Sequence, residues 1–265
     1  LLKAKPGSMR SKVICFLTGH PVDVVTGRML TDAVDLSLPG PIQLELERTW
    51  YSDSTYEGPF GRGWHHRFDQ WLMNTQYGLI WRAGDGRDIL FDLLEPGQST
   101  VNREEGATLS RHRNGYVLET RERLLHHFPY PPGYAETIDH SGRVQAGWSI
   151  EEGRRLPLER ISDHNDNTIQ LHYKHNRLVG LTDSAGRKIE LSLDDLGRIV
   201  AVLGPHPAGG RAIPLVRYGY NEQGDLIEVR DALDAPFRYV HSNHLIVQEI
   251  HRTGLSFWFK YDRYD

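Results

Sequence analysis

The stretch GLTDSAGRKIELSLDDLGRIVAV, Gly180 to Val202, decides the fold class of this 265-residue chain. Within it, Ile189, Leu191 and Leu193 share one face, and the polar residues Lys188, Glu190 and Ser192 share the other. This period of two is typical of a β-strand with one buried face. The Asp-x-x-Gly-Arg pattern on each side supplies glycine, which readily adopts the positive φ that tight hairpin turns need. The stretch therefore predicts a strand between two tight turns.

The same alternation recurs along the chain. It appears in IQLELERTW (42–50), in TIQLHY (168–173) and in SFWFKYD (256–262), where Phe257, Phe259 and Tyr261 share one side. Turn-forming residues separate such segments: Gly84-Asp85-Gly86, Asn114-Gly115, Ser141-Gly142, Gly209-Gly210 and Gln223-Gly224. No long segment has apolar residues at helical spacing, and Gly106 interrupts the helix-forming residues of 103–113. These patterns predict an all-β protein built from stacked antiparallel β-hairpins.

The second half of the chain repeats at about 20 residues. Asp163 and Asp183 lie 20 positions apart, Asp183 and Gly204 lie 21 apart, and an insertion spans Pro205–Gly210. One hairpin cannot bury its own apolar face, so such units must stack on their neighbours. The first half repeats less clearly, which places a soft boundary near Gly153. The predicted organisation is an extension at 1–16, an opening β domain at 17–153 and a repeat sheet at 154–265.

Composition excludes several classes of protein. Hydrophobic residues make up 38% and charged residues 25%, and the formal net charge is −4. These values argue against disorder and against a dedicated nucleic-acid surface. No apolar run approaches the roughly 18 residues of a membrane-spanning helix. The single cysteine, Cys15, lies in an apolar run and is interpreted as a small hydrophobic residue.

The start of the chain is interpreted as an extension or linker. Residues 1–9 contain Gly7-Ser8-Met9, which is compatible with a vector-derived scar, and they are left out of the fold reasoning. In TGHPVDVVTG (18–27), Gly19 and Gly27 bracket a short predicted strand, and His20 and Asp23 are expected to bind backbone groups. We expect the chain to be part of a longer polypeptide, cut within a further repeat at its C-terminal end.

The 14 histidines raise the question of a metal or acid–base site. The pairs His65/His66 and His126/His127 point to opposite faces of a strand and cannot chelate one ion together. His172 and His175 meet the same objection if both lie in a strand. DHNDN (163–167) lacks the Gly and Glu of a calcium-binding loop, so Asx-turn chemistry is the simpler interpretation. No catalytic residue, cofactor or metal site is predicted.

Several segments resemble the YD repeat of Rhs proteins. Asp183, Gly186 and Arg187 match one Asp-x-x-Gly-Arg element, and Gly197 and Arg198 match the next. YGYNEQGDLIEV (218–229) is a further match through its Tyr, Gly and Leu, and its turn glycine is Gly224. Upstream, GHPVDVVTGRML, LPGPIQLELERTWYS and GPFGRGWHHRFDQWL resemble the segment that opens the Rhs region after a PAAR domain. The resemblance covers Leu17 to Asp265.

The resemblance implies part of a β-cocoon, a spiralling sheet that encloses a chamber. On this resemblance, the repeat-turn residues Asp183, Gly186, Arg187, Gly197, Arg198 and Gly224 have structural roles. The implied partners are the remaining repeats and a C-terminal toxin domain of the same polypeptide, together with a PAAR/VgrG secretion tip. The implied protein is made in the bacterial cytoplasm and is secreted through a type VI apparatus in interbacterial competition.

Three functional hypotheses remain. The first is a structural wall without catalysis of its own, whose isolated fragment self-associates or binds a partner chain through an unpaired strand edge. The second is a YD-repeat binding module for a glycan or protein, with Trp64, Trp71, Trp81, Trp148 and Trp258 as candidate exposed platforms. The third is an enzyme, a glycan hydrolase or a protease, because catalytic carboxylates can converge from distant positions that a sequence does not relate.

Overall fold

The computed structural model describes residues 27–131 and 152–261, and these residues form strands, turns and loops without a helix. The strands are β1 (Leu30–Leu38), β2 (Leu44–Tyr51), β3 (Glu57–Gly58), β4 (Gly61–Arg62), β5 (Trp64–His66), β6 (Trp71–Thr75), β7 (Gly78–Arg82), β8 (Asp88–Phe91), β9 (Ser99–Asn102), β10 (Ala107–His112), β11 (Gly115–Glu119), β12 (Leu125–Pro129), β13 (Arg155–Pro157), β14 (Arg160–Ser162), β15 (Thr168–Lys174), β16 (Arg177–Thr182), β17 (Lys188–Leu193), β18 (Ile199–Gly204), β19 (Ile213–Tyr220), β20 (Leu226–Arg230), β21 (Pro236–Ser242), β22 (Leu245–Ile250) and β23 (Ser256–Trp258). The prediction of an all-β, antiparallel protein is confirmed.

One large sheet dominates the described part of the chain. It has 14 strands in the order β23 to β14, then β12, β11, β10 and β9, and every pairing is antiparallel. Sequential strands are therefore neighbours, except where β13 leaves to pair with β6. The sheet also continues across Gly153, because β12 pairs directly with β14. The two-part division near Gly153 stays a proposal about repeat content, since no break in hydrogen bonding marks it.

Three small sheets complete the fold. They have the orders β1-β2-β5, β13-β6-β7-β8 and β3-β4. A continuous apolar core joins these sheets to the large one and includes residues from both halves, such as Trp50, Phe60, Leu72, Ile189 and Val229. The opening segment is thus packed against the repeats.

The alternation seen in the sequence corresponds to burial in the middle of the sheet. Ile189 and Leu191 are buried while Lys188 and Glu190 are exposed. At the last strand the alternation over 256–262 predicts a longer strand with a more buried face than the structure has. Strand β23 ends at Trp258, and Phe257 is 43% exposed. His175 was expected in a strand, but it lies in the turn after β15 with φ 50°. The expectation that it opposes His172 across one strand is therefore wrong.

One turn geometry recurs between strands in both halves of the described chain. In each case the backbone N–H of the first residue donates to the carbonyl of the fifth, and the fourth residue has a positive φ. The turns are 83–87, 120–124, 163–167, 183–187, 194–198, 221–225, 231–235 and 251–255. Five of them have Gly at the fourth position, and the others have Arg123, Asp166 and Asp234. The turn therefore depends on a backbone conformation that glycine adopts without strain.

We predict that Gly186→Ala lowers the free energy of unfolding by about 1–2 kcal/mol. Gly186 has φ 79°, and a Cβ there would meet no atom within 4 Å, so the substitution tests backbone strain alone. Gly186→Asn is the matched control and should cost less, because Asn tolerates the left-handed region. Urea unfolding measures both values; equal losses for Ala and Asn would contradict the explanation.

Candidate functional site

The six sequence-predicted turn residues fall into two groups in the structure. Asp183, Gly186 and Arg187 form the turn between β16 and β17. The second group consists of Gly197 and Arg198, in the turn between β17 and β18, and Gly224, in the turn between β19 and β20. Because one strand separates the turns of Gly186 and Gly197, these two turns lie at opposite ends of β17. Each group also contacts a different part of the opening segment or of the next repeat.

The first group links a repeat to the segment between β1 and β2. Asp183 Oδ1 accepts from the backbone N–H of Arg187 at 2.8 Å, and its Oδ2 accepts from Arg187 Nε at 2.6 Å. Arg187 Nη2 then donates to the carbonyl of Pro39 at 2.5 Å. In the same turn, Ser184 Oγ bonds both the N–H and the carbonyl of Ile42, at 2.9 and 2.8 Å. The turn thus shapes the repeat and holds the opening segment.

The second group links one repeat to the next. Arg198 Nε donates to Asp194 Oδ2 at 2.8 Å, and its guanidinium lies 4.4 Å from the centre of the Tyr220 ring. A Cβ at Gly224 would lie 3.5 Å from Arg198 Nη1. The hydroxyl of Tyr220 donates to the carbonyl of Ile199 at 2.7 Å. The side chain of Arg198, in the turn 194–198, therefore covers part of the turn 221–225.

A buried ion pair lies where the sheet β1-β2-β5 meets the large sheet. Arg48 Nε and Nη2 donate to Asp35 at 2.6 and 3.1 Å, and both side chains are almost fully buried. Tyr218 Oη, from β19, donates to Asp35 Oδ2 at 3.0 Å. The Arg48 guanidinium also stacks on Trp64 at 4.2 Å and lies 5.3 Å from the Tyr239 ring. The ion pair therefore joins the sheet β1-β2-β5 to strand β19 of the large sheet, although these strands are far apart in the sequence.

The electrostatics of this pair favour its charged form. Burial lowers the pKa of Arg48, but the Asp35 carboxylate outweighs that effect and keeps it above the usual value. Burial, followed by the charge of Asp35, raises the pKa of Tyr218, so its hydroxyl stays protonated and donates. Alternation placed Leu44, Leu46 and Trp50 on the buried face; Arg48 is on that face too, and sequence reasoning overlooked it. A charge at an apolar position of a strand was the available signal.

Backbone contacts extend this docking region over several repeats. The N–H of Ile199 donates to the carbonyl of Pro59 at 2.7 Å. Phe60 packs against Tyr218 with ring centres 4.8 Å apart. A Cβ at Gly61 would come within 2.4 Å of the Gly224 carbonyl oxygen, so the two backbones touch. The opening segment is therefore fitted to the repeat sheet at close range.

Several histidines are buried and neutral. His126 Nδ1 bonds Gln70 Oε1 at 3.0 Å, and His127 Nε2 bonds Ser162 Oγ at 2.8 Å. Burial lowers the pKa of His126 to about 3 and the pKa of His127 to about 4. Burial and the nearby Arg82 lower the pKa of His65 to about 4. Within residues 27–131 and 152–261, no three His, Cys, Asp or Glu side chains are grouped to hold a metal ion.

The other residues that the sequence analysis named as candidates lie in different parts of the chain and have different degrees of burial. Asp163 Oδ1 accepts from the N–H groups of Asn165 and Asn167 at 2.8 and 3.0 Å, an Asx-turn arrangement. Of the candidate tryptophan platforms, Trp64, Trp71 and Trp81 are buried and Trp258 is 71% exposed. The remaining candidates lie outside the described residues: Cys15, His20, Asp23, Ser141-Gly142, Trp148 and the extension at 1–16.

Comparisons with known proteins match this chain to a family model and to several toxin polypeptides. Residues 19–91 match DUF6531, a domain of unknown function. Double-stranded DNA deaminase toxin A of Burkholderia cenocepacia is 27% identical over 94% of this chain and 17% of its own length. Probable deoxyribonuclease RhsA of Dickeya dadantii is 28% identical over 85% of this chain and 15% of its own. Toxin protein Tse5 of Pseudomonas aeruginosa is 27% identical over 93% and 21%.

The chain spans about a fifth or less of the length of these relatives. Among solved structures, a Photorhabdus luminescens Tc holotoxin pore matches 80% of this chain and 16% of its own, with TM-score 0.44 and 13% identity. The crystal structure of TcdB2-TccC3 matches 81% and 17%, with TM-score 0.44 and 12% identity. In the described residues no helix is long and apolar enough to cross a bilayer. The DUF6531 match and the named relatives support the assignment to Rhs/YD-repeat proteins that the motifs predict.

We predict that Arg48→Met lowers the free energy of unfolding by about 3–5 kcal/mol. The substitution leaves the Asp35 carboxylate buried without its counter-charge. The double variant Arg48→Met/Asp35→Leu removes both charges and should recover part of the loss. Arg82→Met, in a pair whose Asp88 side chain is 49% exposed, is the control and should cost under about 1 kcal/mol. Urea unfolding tests the set; a single variant as stable as the wild type would refute the role of the pair.

We predict that stability falls as the pH drops from about 6.5 towards 4. The folded-state pKa values of His65 and His127 are about 4, below the ordinary 6.5, so the unfolded chain binds more protons in this window. Their contribution is therefore complete above pH 6.5 and is lost progressively below it. Urea unfolding across this range should show a shallower slope for His65→Gln than for the wild type. A flat profile for the wild type would contradict the prediction.

Proposed function

We propose that this chain, a protein of the Rhs/YD-repeat family, forms the N-terminal wall of a shell that encloses a toxin domain of the same polypeptide. The observation that carries the proposal is the large sheet of sequential hairpins with the opening segment docked on it. In the described part of this sheet, only β9 and β23 are edge strands. Such a sheet satisfies its backbone hydrogen bonds internally and can be extended by further hairpins at its edges.

The turn residues have a structural role in this proposal. Asp183, Gly186 and Arg187 shape a turn and bind the opening segment, and Gly197, Arg198 and Gly224 connect successive repeats. The buried Arg48–Asp35 pair and the aromatic contacts around it then hold the opening segment against the repeats. The proposed role of this chain is containment, without a part in the toxin's chemistry.

The relatives support the toxin context of the proposal. Their names describe a DNA deaminase toxin, probable deoxyribonucleases and a toxin protein, and this chain matches only a small part of each. We propose that a C-terminal toxin domain and further repeats are its partners in the same polypeptide. We further propose production in a bacterial cytoplasm and delivery with a PAAR/VgrG tip through a type VI apparatus in interbacterial competition.

A binding module for a glycan or protein is the alternative. The burial of Trp64, Trp71 and Trp81 removes most of the aromatic platforms that this alternative needs. Trp258, which is 71% exposed on the edge strand β23, is the observation in its favour. We propose instead that this edge accepts another strand, which would make the isolated 265-residue chain self-associate or bind a partner chain.

The test uses the full-length polypeptide that contains this chain. We expect electron microscopy to show a closed shell and limited proteolysis to leave the C-terminal toxin domain intact. Arg48→Met should loosen the wall and speed digestion of that domain, whereas Arg113→Met, at an exposed turn, should not. An open rod, or digestion of the toxin domain as fast as in isolation, would overturn the proposal.

A further inference from the structure

A large polar cleft lies on the opening segment and has no use in the containment role. Its volume is about 1050 Å³. Its walls come from the loop after β2, from β5, from the β7–β8 turn and from the loop after β9. Three arginines and several acids line it, and ion pairs join Arg28 to Asp53, Arg82 to Asp88, and Arg87 to Glu105. The cleft is therefore wide enough for a small molecule and is lined by groups of both charges.

A serine and a histidine meet in this cleft. Ser54 Oγ lies 3.1 Å from His65 Nε2, and both residues line the cavity. With the His65 proton on Nδ1, Nε2 accepts the hydroxyl hydrogen of Ser54. Ser54 Oγ also accepts from the N–H of Tyr56 at 3.3 Å, which helps to fix its position. This is the nucleophile–base contact on which covalent catalysis by serine depends.

The imidazole of His65 is held rigidly in this position. It stacks on the Tyr56 ring with centres 4.8 Å apart and planes 11° from parallel. On another side, a Cβ at Gly86 would lie 2.3 Å from His65 Cγ, so the backbone of the β7–β8 turn lies directly against the ring. Tyr56 is itself fixed by a hydrogen bond to Asp69 at 2.5 Å. A fixed base needs little reorganisation during a reaction.

We propose that Ser54 and His65 form a catalytic pair that hydrolyses small carboxylic esters in this cleft. Ser54 Oγ attacks the ester carbonyl carbon while its proton passes to His65 Nε2. The tetrahedral intermediate collapses, the C–O bond to the alcohol breaks, and the alcohol leaves with the proton from His65. Water, activated by the same base, then attacks the acyl-serine and releases the carboxylic acid, which restores both side chains.

Arg82 is a positively charged group of the same cleft, and two hydrogen bonds to Asp88 hold its guanidinium in place. Its guanidinium lies 5.6 Å from the centre of the Tyr56 ring and lines the same cleft. A fixed positive charge in the cleft would favour the oxyanion of the intermediate if the ester carbonyl is oriented towards it. The charge of Arg82 also acts on the base, His65. Burial is the largest cause that lowers the pKa of His65 to about 4, and the charge of Arg82 is the second. The base is therefore neutral at pH 7 but weak, and we expect slow turnover.

The pH profile distinguishes this pair from an ordinary surface histidine. The titratable and charged groups around His65 are Arg82, Asp69, Asp85, His66 and the rings of Tyr51 and Tyr56. Of these, Asp69 and Asp85 raise the pKa of His65, while Arg82 and His66 lower it. Ester hydrolysis by the pair should therefore lose activity only near pH 4. A solvent-exposed histidine would lose it near its ordinary value of about 6.5.

The experiment uses the purified 265-residue chain with p-nitrophenyl acetate as substrate and a fluorophosphonate probe as covalent label. We expect saturable hydrolysis, and we expect mass spectrometry to map the label to Ser54. Ser54→Ala should abolish both signals, and His65→Gln should lower the rate by about 100-fold. The exposed residues Ser99 and His112 give matched controls, Ser99→Ala and His112→Gln, which should leave both signals unchanged.

Each outcome decides the proposal. Label on Ser54 in the unaltered protein supports it, and this readout does not depend on whether any variant folds. Hydrolysis that survives in Ser54→Ala, label spread over several surface residues, or an activity limit near pH 6.5 would overturn it. The inference stands apart from the containment role, because microscopy and proteolysis of the full-length protein do not report on this cleft.

Discussion

The ion pair between Arg48 and Asp35, buried between two sheets, is the interaction on which the arrangement of the described chain depends. Its positive member is the Arg48 guanidinium. It lies on the apolar face of β2, where water is excluded, so it needs a counter-charge and hydrogen-bond partners within the protein. Asp35 on β1 provides the charge, and Tyr218 on β19 completes the group from the repeat sheet. Such a pair adds little net stability compared with apolar residues, but it penalises any docking that separates its members. It therefore specifies where the opening segment meets the repeats.

The recurring turn provides the second constraint. Each turn reverses the chain and returns the next strand to its neighbour, so a sheet grows one strand at a time from local contacts. The glycine or left-handed residue at its fourth position sets the backbone, and an Asp or Asn at the first position of many turns binds the backbone N–H groups that follow. Where the turn also carries arginine, as at Arg187 and Arg198, the same residues reach beyond the repeat. Local geometry and long-range packing thus depend on the same side chains.

The opening segment has a role that differs from the repeats. Its first eight strands lie in small sheets apart from the large one, and it supplies many of the largest buried side chains, among them Trp50, Phe60 and Trp64. It also holds most of the buried neutral histidines and the cleft that contains Ser54 and His65. The repeats provide an extended surface, and the opening segment covers part of that surface while keeping a polar cavity of its own.

The sequence by itself determined the fold class, the hairpin repeat and the residues of the turns, because these depend on neighbours within a few positions. Alternation marked Ile189 and Leu191 as buried, and the Asp-x-x-Gly-Arg elements marked the turns at 183 and 194. The turn at 83 was predicted from Gly84-Asp85-Gly86, whereas the turn at 120 has Arg at its fourth position and was missed. The ends of strands were also not predicted from the sequence, since His175 fits the alternation of a strand but lies in a turn.

Only the tertiary structure decided which sheet lies on which. The partners of Arg48 are 13 positions away on β1 and far along the chain at Tyr218, and no local pattern relates them. The same holds for Ser54 and His65, which lie 11 positions apart, one in a loop and one in a strand. Alternation reports only which side of a strand a residue faces. What lies opposite that side depends on how distant strands pack, and this is fixed by the burial of charge and apolar surface together.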